Sequence, residues 1–413
     1  MKRLSLFAKL VIGICLLALA CCQCRPAFPS SFDSRLEAII GPYRFNFFQW
    51  ESAAFAGPNN PFRLQAPIDI NDTRPVLRYL ELVQAMRSQE EEYSRAISAG
   101  ETSEPGAQAA IAALKQERDN LAPLVERLVA GQASTVYREM GIYTPLDRFI
   151  KLPRTLPSIW FKLDRLPNLL VVSPRERIES SDKVMLRQEF LPEEIEQIEE
   201  RVAGLGVSVL IVGLGGFGGT YPSFVASDTD LRFLMQTVSE EWLHQYLAFT
   251  PLGIRYVFDV LRIKPDYEIV TMNETLAGIV SDEVAERILA RYYPASSTQV
   301  VAYGYLDDTF DFNREMRQIR LQVDALLAAG QVDEAERYMA ERRDYLQQNG
   351  YNIRKLNQAY FAFYGTYADS PSSVDPIGDA MRTLRARSNS LAVFLNTAVT
   401  LTAKQQLLDL GQP

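Results

Sequence analysis

The sequence predicts an α+β protein in which helices predominate and a small sheet lies in the middle of the chain. Most of the 413 residues fall into stretches with apolar side chains three and four positions apart, which is the period of an amphipathic helix. Between about 166 and 213 the chain contains short runs of aliphatic and β-branched residues, which are typical of buried strands. Two further helices follow directly after this region.

The composition is that of an ordinary globular protein, with 47% hydrophobic and 23% charged residues. The net charge is −8 and the pI is near 5.1. Such a balance does not imply the basic surface that neutralises phosphates, so we expect no nucleic-acid partner. All four cysteines lie between residues 15 and 24, so the body of the chain has no disulfide framework and no thiolate metal site.

Residues 1–20 are predicted to be a signal peptide. Basic residues precede the apolar run from 10 to 20, which is too short to span a bilayer comfortably. The sequence Ala18-Leu19-Ala20-Cys21 resembles a bacterial lipobox, which implies that Cys21 is lipidated; Cys22 is the alternative, because Leu19 would then take the first lipobox position. An ordinary secretory signal with unrelated cysteines is the other interpretation. We expect an exported protein on the extracytoplasmic face of the cell membrane, with residues 21–35 as a lipid-anchored tether.

The rest of the chain divides into three predicted regions: an N-terminal helical region (36–165), a core (166–293) and a C-terminal helical region (294–413). Helices are predicted in the first region at Pro75–Gly100 and Glu104–Gly131, and in the last at Asp311–Ala329, Val332–Gln348 and Ile353–Thr366. The core contains the predicted strands Asn168–Ser173, Lys183–Phe190 and Val207–Gly213, and a helix at Pro192–Gly204.

Gly213, Gly215 and Gly218 match the dinucleotide-binding pattern GxGxxG directly after a strand. The context does not fit, because Gly219-Thr-Tyr-Pro222 interrupts the helix that should follow, and no βαβ unit is present. A glycine-rich strand edge that another backbone approaches closely is the better interpretation. Such an edge can receive an extended peptide by strand addition.

The helix predicted from about Ser227 to Phe249 contains Glu240-Glu241-Trp242-Leu243-His244, and His244 is the only histidine in the chain. At 3.6 residues per turn most of this helix is apolar, and one narrow stripe contains Thr237, Glu240, Glu241, His244 and Ala248. Glu240 and His244 are four residues apart, so their side chains can converge on one point. We expect the charged stripe to face a polar cleft.

A second helix is predicted from about Glu268 to Tyr293, and it contains Asn273 and Glu274. Small residues follow on the Glu274 side, namely Ala277, Gly278, Ser281 and Ala285. They would let this helix pack tightly against its neighbour and bring Glu274 within reach of a metal. The alternative is a packing stripe with an exposed glutamate near the helix N-terminus, where the helix dipole favours it.

This order of a strand, a glycine-rich edge, an HExxH-like helix and a second helix opening with Asn-Glu resembles the gluzincin metallopeptidases. The resemblance covers roughly residues 200–290 and implies a zincin-like pair of active-site helices. It implies His244 and Glu274 as metal ligands, Glu241 as general base, zinc or another divalent ion as cofactor, and a peptide or protein substrate. Glu240 stands where the family has its first histidine. The segment from Lys355 to Tyr360, with Tyr364 and Tyr367, resembles the Asn/Tyr-containing segment of aminopeptidase lipoproteins, where a tyrosine helps hold an oxyanion; a core aromatic helix is the alternative.

The substitution at Glu240 leaves three interpretations open. A carboxylate can bind zinc, so a Glu–His–Glu set can support an active peptidase, although it cancels the positive charge of the ion and favours harder ions. The fold can also persist as a catalytically impaired surface lipoprotein with a binding or assembly role. Finally, the motif can be accidental in an unrelated helical lipoprotein.

Overall fold

The computed structural model describes residues 31–98, 106–147, 152–294, 310–367, 370 and 373–411. The prediction of an α+β protein dominated by helices is confirmed, although two small sheets are present rather than one. Within these residues, no helix is both long and apolar enough to cross a bilayer. The predicted signal peptide and the candidate lipidation sites Cys21 and Cys22 lie outside the described residues, so they stay predictions.

The secondary structure follows the chain in three parts. The first contains α1 (Ser31–Ile40), a 3-10 turn (Gly41–Tyr43), α2 (Phe47–Ala56), α3 (Arg74–Ser98) and α4 (Ala107–Glu139). The second contains β1 (Phe161–Asp164), β2 (Asn168–Ser173), β3 (Asp182–Leu186), α5 (Pro192–Ala203), β4 (Ser208–Gly213), β5 (Gly216–Phe217), β6 (Ser223–Ala226), α6 (Leu231–Leu247), α7 (Pro251–Val260) and α8 (Tyr267–Tyr292). The third contains α9 (Phe312–Ala328), α10 (Val332–Gln348), α11 (Gln358–Tyr364), α12 (Ile377–Arg387), α13 (Leu391–Ala398) and α14 (Lys404–Gly411).

The first sheet is antiparallel, with β2 between β3 and β4. Side chains alternate between its two faces: Leu170 and Val172 pack against α1 and α5, whereas Leu169 and Val171 pack against α11. Because both faces are covered by helices, β2 is apolar along almost its whole length.

The second sheet has the order β1-β6-β5. β1 runs parallel to β6, and β5 pairs with β6 in the antiparallel sense. Val225 of β6 points into the main helical core, while Phe224 stacks on Trp50 of α2 with 3.4 Å between ring centroids. The two-residue strand β5 forms one edge of this sheet, and it lies against α6.

The main hydrophobic core lies among α3, α4, α6 and α8, with α12 to α14 packed around α8. The predicted apolar face of α6 is buried there, including Leu234, Val238 and Trp242. Two polar atoms in this core have partners, because the Trp242 indole N–H donates to the Pro157 carbonyl at 2.8 Å and the Tyr137 hydroxyl donates to the Ser239 carbonyl at 3.0 Å. These contacts hold the apolar side of α6 against the core, opposite the charged stripe.

Several element boundaries differ from the predictions for identifiable reasons. Helix α4 continues past Gly131, where the predicted helix ended. This glycine serves close packing rather than helix termination, since a Cβ there would lie 2.6 Å from Ile70 Cγ2. The predicted helix Ile353–Thr366 begins only at Gln358, because Asn357 caps it by accepting from the Tyr360 N–H at 2.9 Å. The strand β1 and the helix α7 were not predicted.

The open edge of β4 is covered by side chains rather than by another strand. Glu199 of α5 accepts from the Ile211 N–H at 2.7 Å, and Arg354 donates to the Ile211 carbonyl at 3.1 Å. Arg354 and Lys355 also form ion pairs with Glu199, which is buried. Burial by itself raises the pKa of Glu199, but the hydrogen bond from Arg354 and the charge of Lys355 outweigh it, so that the pKa lies below its usual value.

We predict that Glu199→Ala destabilises the protein by about 1–3 kcal/mol, because the buried Ile211 N–H loses its acceptor. A group whose pKa is lowered on folding stabilises the fold above its unfolded pKa, and this contribution is lost as the pH falls through the folded value. The stability difference between wild type and Glu199→Gln should therefore be present at neutral pH and shrink below the usual glutamate pKa of about 4.3. Urea unfolding at several pH values measures it, and a difference that grows towards acid would contradict the assignment.

Candidate metal centre

Three consecutive helices supply the polar side chains of one buried cluster. Helix α6 provides Glu240, Glu241 and His244, α7 provides Tyr256, and α8 provides Asn273 and Glu274. Helix α7 starts directly against the end of α6, where a Cβ on Gly253 would lie 1.9 Å from the Leu247 carbonyl oxygen. Glycine at this position is therefore what allows Tyr256 to reach the cluster.

Glu240, His244 and Glu274, the three predicted metal ligands, come together. Each offers one ligand atom, and these atoms lie within 4.8 Å of one another. His244 Nε2 is 3.5 Å from Glu274 Oε2. Two ligands at about 2.0–2.2 Å from one zinc ion lie at most about 4.4 Å apart, so the three atoms are near the spacing that a shared ion requires and would close around it by a small side-chain adjustment. Glu274 is only 8% exposed, so it is not the exposed terminal glutamate of the alternative interpretation.

The orientation of the His244 ring is fixed from α8. His244 Nδ1 lies 2.9 Å from Asn273 Oδ1, and because that oxygen only accepts, Nδ1 carries the proton and donates. Nε2 is then the nitrogen that faces Glu274. A histidine that binds a metal through one nitrogen needs this kind of partner on the other. The sequence places Asn273 in the Asn-Glu motif but does not indicate this role for it.

The charges in the cluster perturb each other strongly. Burial lowers the pKa of His244, but the charges of Glu274, Glu241 and Glu240 outweigh it and raise that pKa to about 10. Burial raises the pKa of Glu240 to about 7, although the His244 charge opposes the shift. Burial also raises the pKa of Glu274, but the His244 charge more than offsets this effect, and the pKa of Glu274 ends below its usual value.

Three carboxyl groups therefore share the imidazole of His244 as their nearest cationic partner, with a weaker contribution to Glu274 from the charge of Lys183. Glu274 takes part in the ion pair with the imidazolium, while burial raises the pKa of Glu241 well above its usual value. Without a further cation, the burial of Glu240 and Glu241 thus favours their protonated forms. A divalent ion between Glu240, His244 and Glu274 would supply the missing positive charge, and carboxylate and imidazole are ligands that such ions accept. The donor set therefore fits a divalent metal.

Glu241 lies beside the glycine-rich edge. A Cβ on Gly216 would lie 2.2 Å from Glu241 Oε1, and a Cβ on Gly218 would lie 2.7 Å from the Glu241 carbonyl oxygen. The Gly218 backbone also hydrogen-bonds to the Glu241 carboxyl. The backbone of α6 thus passes close to Gly218, whereas Gly216 faces the side chains of Glu241 and Thr237, and the second sheet meets the cluster at Glu241.

Two tyrosines border the cluster. The Tyr256 hydroxyl donates to Glu274 Oε1 at 3.2 Å, and its ring lies parallel to the His244 ring with 6.1 Å between centroids. The Tyr367 side chain is 37% exposed at its surface, but its hydroxyl group lies towards the acids. Burial of that group, and then the charges of Glu274, Glu240 and Glu241, raise its pKa well above the usual value. Tyr360 and Tyr364, by contrast, pack behind the first sheet, which agrees with a core aromatic helix.

Tyr256 is the residue that the sequence analysis missed. A signal for its helix was present, because Thr250 caps α7 through its side chain and Pro251 occupies the first helical position. Comparisons with protein-family models, with curated proteins and with solved structures found no match to this chain.

We predict that Gly218→Ala destabilises the protein by about 1–3 kcal/mol, because the new methyl group collides with the α6 backbone and cannot be accommodated by a side-chain rotation. The matched control is Gly213→Ala in the same segment, where a Cβ meets nothing within 4 Å. Its unfolding free energy should stay within about 0.5 kcal/mol of wild type. Equal losses in the two variants, measured by urea unfolding, would show that the close approach of this segment to α6 is not a constraint.

Proposed function

We propose that this protein is an exported, membrane-tethered metallopeptidase that hydrolyses peptide bonds in peptides or proteins. The observation that supports this proposal most directly is the convergence of Glu240, His244 and Glu274 from two neighbouring helices. In this proposal α6 and α8 form a zincin-like pair of active-site helices, and the second sheet lies beside them.

The bound divalent ion, held by Glu240, His244 and Glu274, would polarise the scissile carbonyl and make a water molecule more acidic. Two carboxylates and one neutral imidazole cancel the charge of a divalent ion. This set should make the ion a weaker electrophile than one held by two histidines and one carboxylate. It also favours harder ions such as Mn²⁺ alongside Zn²⁺.

Glu241 is the proposed general base. It accepts a proton from the attacking water and transfers it to the nitrogen of the leaving group, and burial, which raises the pKa of its carboxyl group, makes it a stronger base for this work. Its position beside Gly216 of β5 places it at a sheet edge. An extended peptide that adds to this edge as another strand would pass next to the Glu241 carboxyl.

The two tyrosines are suited to hold negative charge that develops on the carbonyl oxygen. Their hydroxyl groups have raised pKa values, so they remain protonated and can donate hydrogen bonds. Tyr256 already donates to Glu274, whereas Tyr367 is partly exposed and can approach a substrate from the solvent side.

A catalytically impaired surface lipoprotein is the second candidate. It is supported by the ion pair of His244 with Glu274 and by the hydrogen bond of His244 to Asn273, because these contacts satisfy the imidazole without any metal. In that case the fold would serve a binding or assembly role. The burial and convergence of Glu274 support both candidates over an accidental motif.

We predict that the protein binds one divalent ion per chain, and that Glu274→Gln weakens this binding at least tenfold, because one of three ligands loses its charge. The control is Glu268→Gln on the first turn of the same helix, whose carboxylate pairs with Lys404 at 3.3 Å. Equilibrium dialysis against Zn²⁺ and Mn²⁺, with elemental analysis of the protein, measures the effect. Metal content that is the same in all three proteins would exclude the proposed centre.

We predict that Glu241→Gln lowers peptide hydrolysis by about 10²- to 10⁴-fold while the metal stays bound, because the general base is removed but the ligands remain. Cleavage of a mixture of internally quenched fluorescent peptides, together with metal analysis, checks both parts. Glu240→His is the companion variant. If hydrolysis occurs only in Glu240→His, the natural protein is the impaired form, and the second candidate is correct.

A further inference from the structure

An exposed apolar surface lies on the outer side of α7 and on the turn after it. Its members, which we call the α7 patch, are Ile254, Phe258 and Ile263; Val260 is also exposed but lies on the Tyr256 side of the helix. Four of the fifteen large apolar residues exposed in the described part of the chain thus lie within ten consecutive positions. Such a concentration is typical of a surface that contacts a partner or a membrane rather than water.

The turn after α7 holds these side chains together. Arg262 has a φ of 55°, and the chain folds back so that the Ile263 N–H donates to the Phe258 carbonyl at 2.9 Å and the Arg262 N–H donates to the Asp259 carbonyl at 2.8 Å. This is the Schellman arrangement, which brings the residue after the turn next to the last helical turn. Ile263 is nevertheless 65% exposed, so Phe258 and Ile263 present their apolar surface outward.

The patch lies close to the point where the N-terminal segment joins the body of the protein. Arg262 lies 3.9 Å from Asp33 at the start of α1, and it also pairs with Asp182 of β3. Nine residues lie between Cys21 and Ser31, so the ten steps from one Cα to the next span at most about 36 Å when fully extended. A lipid on Cys21 would therefore hold the α7 patch near the surface of the bilayer.

The charges around the patch are balanced. Arg255 pairs with Asp266, and Arg262 pairs with Asp182, while Asp259 and the exposed Lys264 also lie beside it. The apolar side chains would therefore make the contact, as in a segment that inserts shallowly beside a lipid anchor, and the contact does not depend on anionic lipid.

We propose that the α7 patch docks on the lipid bilayer to which the N-terminus is anchored. Because Tyr256 extends from the inner side of the same helix to Glu274, this docking would hold the candidate metal centre at the membrane surface, where it meets substrates that are themselves bound to the membrane. The inference rests on the proposed lipid anchor, but not on catalysis.

The test uses the full chain in vesicles of phosphatidylcholine and phosphatidylglycerol, with bromine atoms on the acyl chains in one preparation and none in the other. Ile263→Trp introduces an indole into the patch at an exposed position. The matched control is Leu321→Trp on α9, which is 52% exposed. We expect the emission added by Ile263→Trp to be quenched and blue-shifted in brominated vesicles, and the emission added by Leu321→Trp to be the same in both preparations.

The other outcomes separate the anchor from the patch. If the protein floats with the vesicles but neither tryptophan is quenched, the docking surface is wrong and the anchor stands. Quenching of both would also overturn the proposal, because the contact would not be specific to α7. Failure to float would overturn the anchor and the docking together, whereas the metal-binding experiments in detergent would be unaffected. A dimer in detergent that dissociates on Ile263→Asp would assign the patch to a second copy instead.

Discussion

The packing of three carboxyl groups, two of them buried and one half-buried, around one imidazole is the constraint on which the rest of the site depends. Only one of the acids can be neutralised by His244, and the surrounding helices exclude most of the water that would otherwise screen the other two. A fold tolerates such an arrangement when a further cation or bound protons balance the charge. The helices α6, α7 and α8 hold these groups at fixed positions, through the contacts of His244 with Asn273 and Glu274 and of Tyr256 with Glu274. This holds for either candidate function.

Close backbone approach is what makes the arrangement possible. Gly253 lets α7 begin against the last turn of α6, and Gly216 and Gly218 let the second sheet reach Glu241. On α8 the small residues Ala277 and Ser281 are buried in the main core, so this helix can bring Glu274 close to His244. A larger side chain at any of these positions would collide with the neighbouring element. The small residues therefore allow groups from elements that are distant in the sequence to meet at one site.

The helix α7 connects two features that were not expected to be linked. Its inner side supplies Tyr256, which donates to Glu274, and its outer side presents Ile254 and Phe258 to the surroundings. Arg262 ties the end of the same helix to α1 and β3. A contact made on the outer side would therefore bear on the same helix that carries Tyr256 to the site.

The sequence by itself determined the helical class, the strands β2 and β4, and the helix that carries Glu240, Glu241 and His244, because the hydrophobic period is a local property of the chain. It also restricted the ligands, since His244 is the only histidine and its spacing from Glu240 is that of one helical turn. Tertiary structure decided the rest. The strand β1 has four residues and is stabilised by pairing with β6, some sixty positions away, so local pattern does not distinguish it. The burial of Glu274, the hydrogen bond of Asn273 to His244 and the position of Tyr256 all depend on how α7 and α8 pack against α6, which is a property of side-chain shape and distance rather than of any spacing along the chain.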